Sequence, residues 1–166
     1  MDHFAALGLP RSFALDPSAL ERNYLRLSRE LHPDRQRAGD ESGQAEMLQR
    51  AAALNNGYRT LKEPFARAEH LVELIDRDAM ARTKNLPADF LMEAMELSER
   101  AADCTRCDAQ ALTTEIRQTL DGYLTDIAAA FAGGQDAATA TTVAQLLHRS
   151  KYYRKALEDL TETMDE

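Results

Sequence analysis

The sequence predicts an all-α protein, and three observations carry that prediction. All five prolines (Pro10, Pro17, Pro33, Pro64, Pro87) lie in the first 87 residues, leaving the rest of the chain free of the side chain that breaks helices. Most segments are built from Ala, Leu, Glu, Arg and Gln, which are strong helix formers. No segment sustains the period-two alternation of β-branched residues that marks a half-buried strand. At 166 residues and 44% hydrophobic content the chain can bury a core, as one domain or as two small ones.

After a short N-terminal turn, Asp16-Pro17 has the form of an N-cap followed by proline at the first helical position. The helix that starts there carries Leu20, Tyr24, Leu27 and Leu31 on one stripe, with Arg22, Arg26 and Arg29 roughly opposite. Pro33 disfavours helical geometry at His32 and stops the helix. A polar stretch, DRQRAGDESG, follows, and then Met47, Ala51, Leu54, Tyr58 and Leu61 mark a second helix that ends before Pro64. The two form a helical hairpin joined by a polar loop. Phe65, Ala68, Leu71, Val72 and Ile75 outline a shorter amphipathic helix bridging the two halves. The stretch RDAMARTKN is polar and unpatterned, so a boundary is placed there, giving domains 1–75 and 76–166. The second domain is expected to hold three helices, from about Ala88, over about 109–131 and over about 137–163, the last two separated by Gly133-Gly134.

Charge and composition narrow the function. Residues 1–62 hold 9 Lys/Arg against 8 Asp/Glu, and residues 63–166 hold 11 against 20, so the formal charge of −8 sits in the second half. Such an acidic half fits a basic partner or simple solubility. Together with the absence of Trp and only 6% aromatic residues, it argues against nucleic-acid binding. No apolar run reaches membrane-spanning length and the N-terminus lacks the form of a secretory signal, so the expected location is the cytoplasm and no membrane partner is expected. No glycine-rich phosphate loop is present.

His32-Pro33-Asp34 stands at the tip of the hairpin, directly after the helix with the basic face. The order of turn, basic amphipathic helix, His-Pro-Asp loop and apolar helix carrying Asn55 and Tyr58 resembles the J-domain. In that family the loop docks on the ATPase domain of a seventy-kilodalton chaperone while the basic helix meets an acidic surface. The resemblance therefore implies that His32, Pro33, Asp34, Arg22, Arg26, Arg29 and Arg35 bind a chaperone. Proline fixes one torsion and so holds the imidazole and carboxylate on either side of it in a defined arrangement. His32 and Asp34 are then contact residues, since the only local nucleophile is Ser28, one turn back.

The segment from Phe90 to Ala101 has two apolar faces. Phe90, Ala94, Leu97 and Ala101 form one; Leu91, Met92 and Met95 form another, flanked by Glu96 and Glu99. A helix in a small bundle needs one core face. The second is either an exposed binding surface, for which flexible methionine is well suited, or is covered by the bridging helix or the first domain.

Met1-Asp2-His3-Phe4, Arg67-Ala68-Glu69-His70-Leu71 and Phe90-Leu91-Met92-Glu93 are similar to the HscB family of J-domain co-chaperones, over nearly the whole chain. That resemblance implies a non-enzymatic adaptor without a cofactor. Its partners would be the DnaK-type chaperone HscA and the iron-sulfur scaffold IscU. It also implies scaffold binding by Leu91, Met92, Met95, Glu96, Glu99, Asp103 and Tyr152, with Tyr153 as the alternative register for the last aromatic. Gly57 stands where the family has Ala, at a helix-interior cost of about 1 kcal/mol, and Met95 replaces a usual Leu.

Cys104-Thr105-Arg106-Cys107 has the spacing of a metal knuckle or redox pair, but a zinc site needs four ligands and no second pair exists. His3, His70 and His148 are assigned no chemistry. A general J-protein delivering unfolded clients to a housekeeping chaperone is the main rival reading, although no Gly/Phe-rich linker or zinc module follows the J-like part.

Overall fold

In the computed structural model, which describes residues 1–31, 41–104 and 106–165 and only the backbone at 41–44, 106–107 and 163–165, the first helix is set by Asp2. Its Oδ1 accepts the backbone N–H groups of Phe4 (3.0 Å) and Ala5 (3.2 Å), capping α1 (His3–Ala6). Partial burial pushes the Asp2 carboxyl up, but the Arg11 guanidinium and these amides outweigh that and hold it below its ordinary value. Gly8, at φ +64°, ends the element in a left-handed conformation that glycine adopts at least cost. The adjoining Leu7 carbonyl accepts from Asn23 Nδ2 at 2.8 Å.

α2 (Pro17–Glu30) begins as the sequence predicts, with Asp16 Oδ1 accepting the Ser18 N–H at 2.9 Å. It packs against α3 (Glu41–Lys62) through Tyr24, whose ring stacks on Tyr58 at 4.2 Å and whose hydroxyl donates to Asn55 Oδ1 at 2.9 Å. α3 starts inside the stretch expected to be polar loop: Glu and Gln at 41–46 are good helix formers even without an apolar stripe. Gly57 lies against His3, and a Cβ there would sit 3.2 Å from its Nδ1. The glycine makes room for α1 on α3.

Glu63 caps α4 (Pro64–Ile75), accepting from the N–H groups of Phe65 (3.1 Å) and Ala66 (2.6 Å). Arg67 then ties three segments together. Its Nε donates to the Leu61 carbonyl at the end of α3, and its Nη1 to the Phe13 carbonyl, both at 2.8 Å, with the guanidinium 5.6 Å from the centre of the Phe13 ring. One turn on, His70 Nε2 accepts the His3 backbone N–H at 3.1 Å. That bond requires an unprotonated Nε2. Phe4, Leu7, Leu20, Leu54, Leu61, Phe65 and Leu71 fill the core of this first unit, Met1–Leu71.

The second compact unit is Val72–Glu166, so the division falls inside α4. A one-turn helix, α5 (Ala79–Arg82), occupies the stretch read as unpatterned. It is held by non-local contacts: Ala79 and Thr83 are buried, and His148 Nε2 donates to the Met80 carbonyl at 2.8 Å. Asp76 and Arg82 close its flank with a paired contact of 2.6 and 3.3 Å, which lowers the Asp76 carboxyl.

α6 (Ala88–Ala102), α7 (Arg106–Gly133) and α8 (Ala137–Asp165) follow, with α7 starting slightly before and α8 ending slightly beyond the expected bounds. α7 and α8 pack along Leu112, Ile116, Leu120, Ile127 and Phe131 on one side and Val143, Ala144, Leu147 and Leu160 on the other, all buried. Ser150 is fully buried in this packing and donates to the Leu147 carbonyl at 2.9 Å. α6 lies on α8 through Phe90, Ala94, Leu97 and Ala101. Among the described residues every element is helical and no strand occurs, as the sequence predicts.

Two outcomes follow. Arg67→Lys, which keeps the charge but loses the planar fork, lowers urea-unfolding stability by about 2 kcal/mol, because two carbonyls lose charge-assisted donors. Leu97→Ala costs about 2–4 kcal/mol in the same assay, whereas Met92→Ala stays within about 0.5 kcal/mol of the parent.

Candidate functional site

The second apolar stripe of α6 is exposed. Leu91 is 37% accessible, Met92 64% and Met95 63%, while Phe90, Ala94, Leu97 and Ala101 on the other side are all at or below 7%. Periodicity left open whether this stripe is exposed; within the second unit it is. The carboxylates of Glu96, Glu99 and Asp103, all exposed, lie alongside and have no hydrogen-bond or ion-pair partner among the described residues. By contrast Arg100 is fully engaged, its guanidinium pairing with both oxygens of Glu115 on α7 at 3.0 and 2.7 Å. This pairing raises the Arg100 pKa and lowers that of Glu115. It links the C-terminal part of α6 to α7.

Tyr152 on α8 extends this face. It is 42% exposed, and its ring meets the edge of Phe90 with centroids 5.7 Å apart. Tyr153, the alternative register, is half-buried and leans against Tyr123 of α7 at 5.7 Å. Burial pushes the Tyr123 hydroxyl up to about 12, with Tyr153 adding to the shift, and raises Tyr153 as well. Both phenols are neutral near pH 7. Of the two tyrosines, Tyr152 is the more exposed and is the one that touches α6 through Phe90. A shallow groove bordered by Asp89, Phe90, Met92, Glu93, Glu96 and Arg149 runs beside it. Arg149 went unnoticed in the sequence because its place on this face depends on how α8 meets α6.

The first unit carries the basic face. Arg22, Arg26 and Arg29 are exposed on α2. Arg22 approaches Asp16 at 3.7 Å and Arg26 pairs with Glu30 at 3.0 Å, both exposed contacts that contribute little and exchange readily. Leu25, 44% exposed, stands among these arginines. Sequence reasoning passed over it, because a single leucine outside the packed stripe gives no periodic signal. His32, Pro33, Asp34 and Arg35 lie outside the described residues.

Cys104 is a free thiol, and the side chain of Cys107 lies outside the described residues. Among the described residues no group of three or more His, Cys, Asp or Glu could hold a metal ion, and no helix is long and apolar enough to cross a membrane. His70 and His148 both make structural bonds to backbone groups.

Known proteins resemble this chain over nearly its whole length. Residues 86–161, which include all of α6 and most of α8, match the family model described as HSCB C-terminal oligomerisation domain. A co-chaperone protein HscB homolog from Aeromonas salmonicida is 34% identical over 96% of this chain and 94% of its own length. One from Shewanella loihica is 31% identical over 99% and 98%. Chaperone HscB from Vibrio cholerae superposes with a TM-score of 0.81 at 28% identity, covering 99% of this chain and 98% of that one. Human co-chaperone protein HscB has the same fold, with a TM-score of 0.82 at 21% identity over 98% and 82%. With full-length relatives above 30% identity and the same helical architecture, the chain belongs to the HscB co-chaperone family.

Proposed function

We propose that this protein is an adaptor that binds the iron-sulfur scaffold IscU and delivers it to the DnaK-type chaperone HscA, whose ATP hydrolysis it stimulates. The exposure of Leu91, Met92 and Met95 carries the reading. Three large apolar side chains in water on a well-packed helix, beside the exposed carboxylates of Glu96, Glu99 and Asp103, form a surface suited to a partner with an apolar anchor and basic neighbours. Tyr152 widens it with an aromatic ring. Rigid support from Phe90, Ala94 and Leu97 means that docking needs little ordering of the helix.

The chaperone is assigned to the other unit. Arg22, Arg26 and Arg29 steer and orient the basic helix on an acidic ATPase-domain surface, and His32, Pro33, Asp34 and Arg35 complete the contact. The roles divide between residues 1–75 and 76–166. The protein lowers no chemical barrier with its own side chains. It acts by binding one conformational state of the chaperone more tightly than another, and in the cytoplasm it would present the scaffold as that switch occurs. An exposed acidic-apolar face on one ordered helix favours a folded, specific partner over extended clients.

The test is steady-state ATP hydrolysis by HscA with this protein, with and without IscU. Wild type stimulates, and IscU amplifies the effect. His32→Gln loses stimulation while still binding IscU. Leu91/Met92/Met95→Ala keeps the IscU-independent part and loses the synergy. Absence of stimulation by wild type with an active chaperone and scaffold contradicts the reading. Equal synergy with an extended peptide in place of IscU favours a general client-delivery role.

A further inference from the structure

Arg149 is the one basic side chain bordering the groove beside Met92, whose other charged residues, Asp89, Glu93 and Glu96, are all acidic. Its guanidinium carbon lies 5.3 Å from the centre of the Phe90 ring, and Tyr152, three residues on and so on the same face of α8, meets the edge of that ring. Although partly exposed and bordering a groove with three acids, the Arg149 guanidinium has no hydrogen-bond or ion-pair partner among the described residues. Contact with an aromatic ring engages the face of a guanidinium and leaves its in-plane N–H fork available.

From this juxtaposition we propose that Arg149 is a specificity-determining contact that receives a carboxylate, an Asp or Glu side chain of the scaffold, next to the apolar group that covers Met92. The inference rests on the scaffold-binding reading of α6. Charge complementarity names the ligand, because a fork with free donors suits the paired oxygens of a carboxylate. The face then carries two opposite charge signals, acids along Glu96, Glu99 and Asp103 and a cation at Arg149. An apolar patch alone leaves a partner free to rotate; two signals of opposite sign on its borders fix one orientation.

The sign of the effect separates this role from general attraction. Removing a positive charge makes an acidic face more acidic, so binding governed by overall charge tightens in Arg149→Met. A carboxylate contact predicts the reverse. Titration calorimetry of full-length protein with IscU is expected to give about tenfold weaker binding for Arg149→Met, the loss of one charge-assisted pair, and a smaller loss for Arg149→Lys. Methionine keeps an apolar stem over Phe90, and thermal unfolding of each variant checks that the bundle is intact. If Arg149 only supports Phe90, Arg149→Met binds like wild type. Unchanged or tighter binding of Arg149→Met, with binding lost in Leu91/Met92/Met95→Ala, overturns the inference alone. Wild-type affinity in the triple variant overturns the inference and the reading it rests on.

Discussion

α6 packs on α8 with one stripe, and an α-helix resting on one neighbour can bury little more than one stripe. Phe90, Ala94, Leu97 and Ala101 use up that side, and burial of the larger two contributes about 1.5–3 kcal/mol each. Apolar side chains elsewhere on the helix must then remain in water. Leu91, Met92 and Met95 are therefore a free-energy cost of the isolated protein that a partner can remove. The buried stripe fixes α6 on the bundle, so the exposed residues sit on an ordered surface.

A different logic governs the first unit. The two N-terminal segments that resemble the HscB family meet in space: His3 donates its backbone N–H to His70, Phe4 stacks near the same ring at 5.9 Å, and Arg67 fastens the start of α4 to the end of α3 and to Phe13. These residues hold the hairpin together. Gly57 belongs to the same construction, since an alanine there would crowd His3. The basic face of α2 is thereby presented by a packed unit, with Tyr24, Asn55 and Tyr58 locking α2 to α3 on the opposite side.

Local chemistry made much of this legible in the sequence. The Asp16-Pro17 start, the Gly133-Gly134 break and the stripes of α6 all act within one or two turns, so pattern alone reveals them. The two-faced pattern of α6 also pointed to the candidate site, although only packing could decide whether the second face was covered. What stayed hidden depends on distant partners. α5 has no amphipathic pattern and forms because Ala79, Thr83 and the Met80 carbonyl find α8. The reason for Gly57 lies 54 positions away in His3, and Arg149 joins the groove only through the α6–α8 contact.

Methionine methyl groups offer the most direct measurement of the central claim, that a scaffold docks on the exposed stripe of α6. With methyl-labelled methionine, the spectrum reports Met92 and Met95 on that stripe against Met47 on α3 and Met80 on α5. Addition of IscU is expected to shift or broaden the Met92 and Met95 signals while Met47 stays in place. Perturbation of Met47 with Met92 and Met95 unchanged would contradict it.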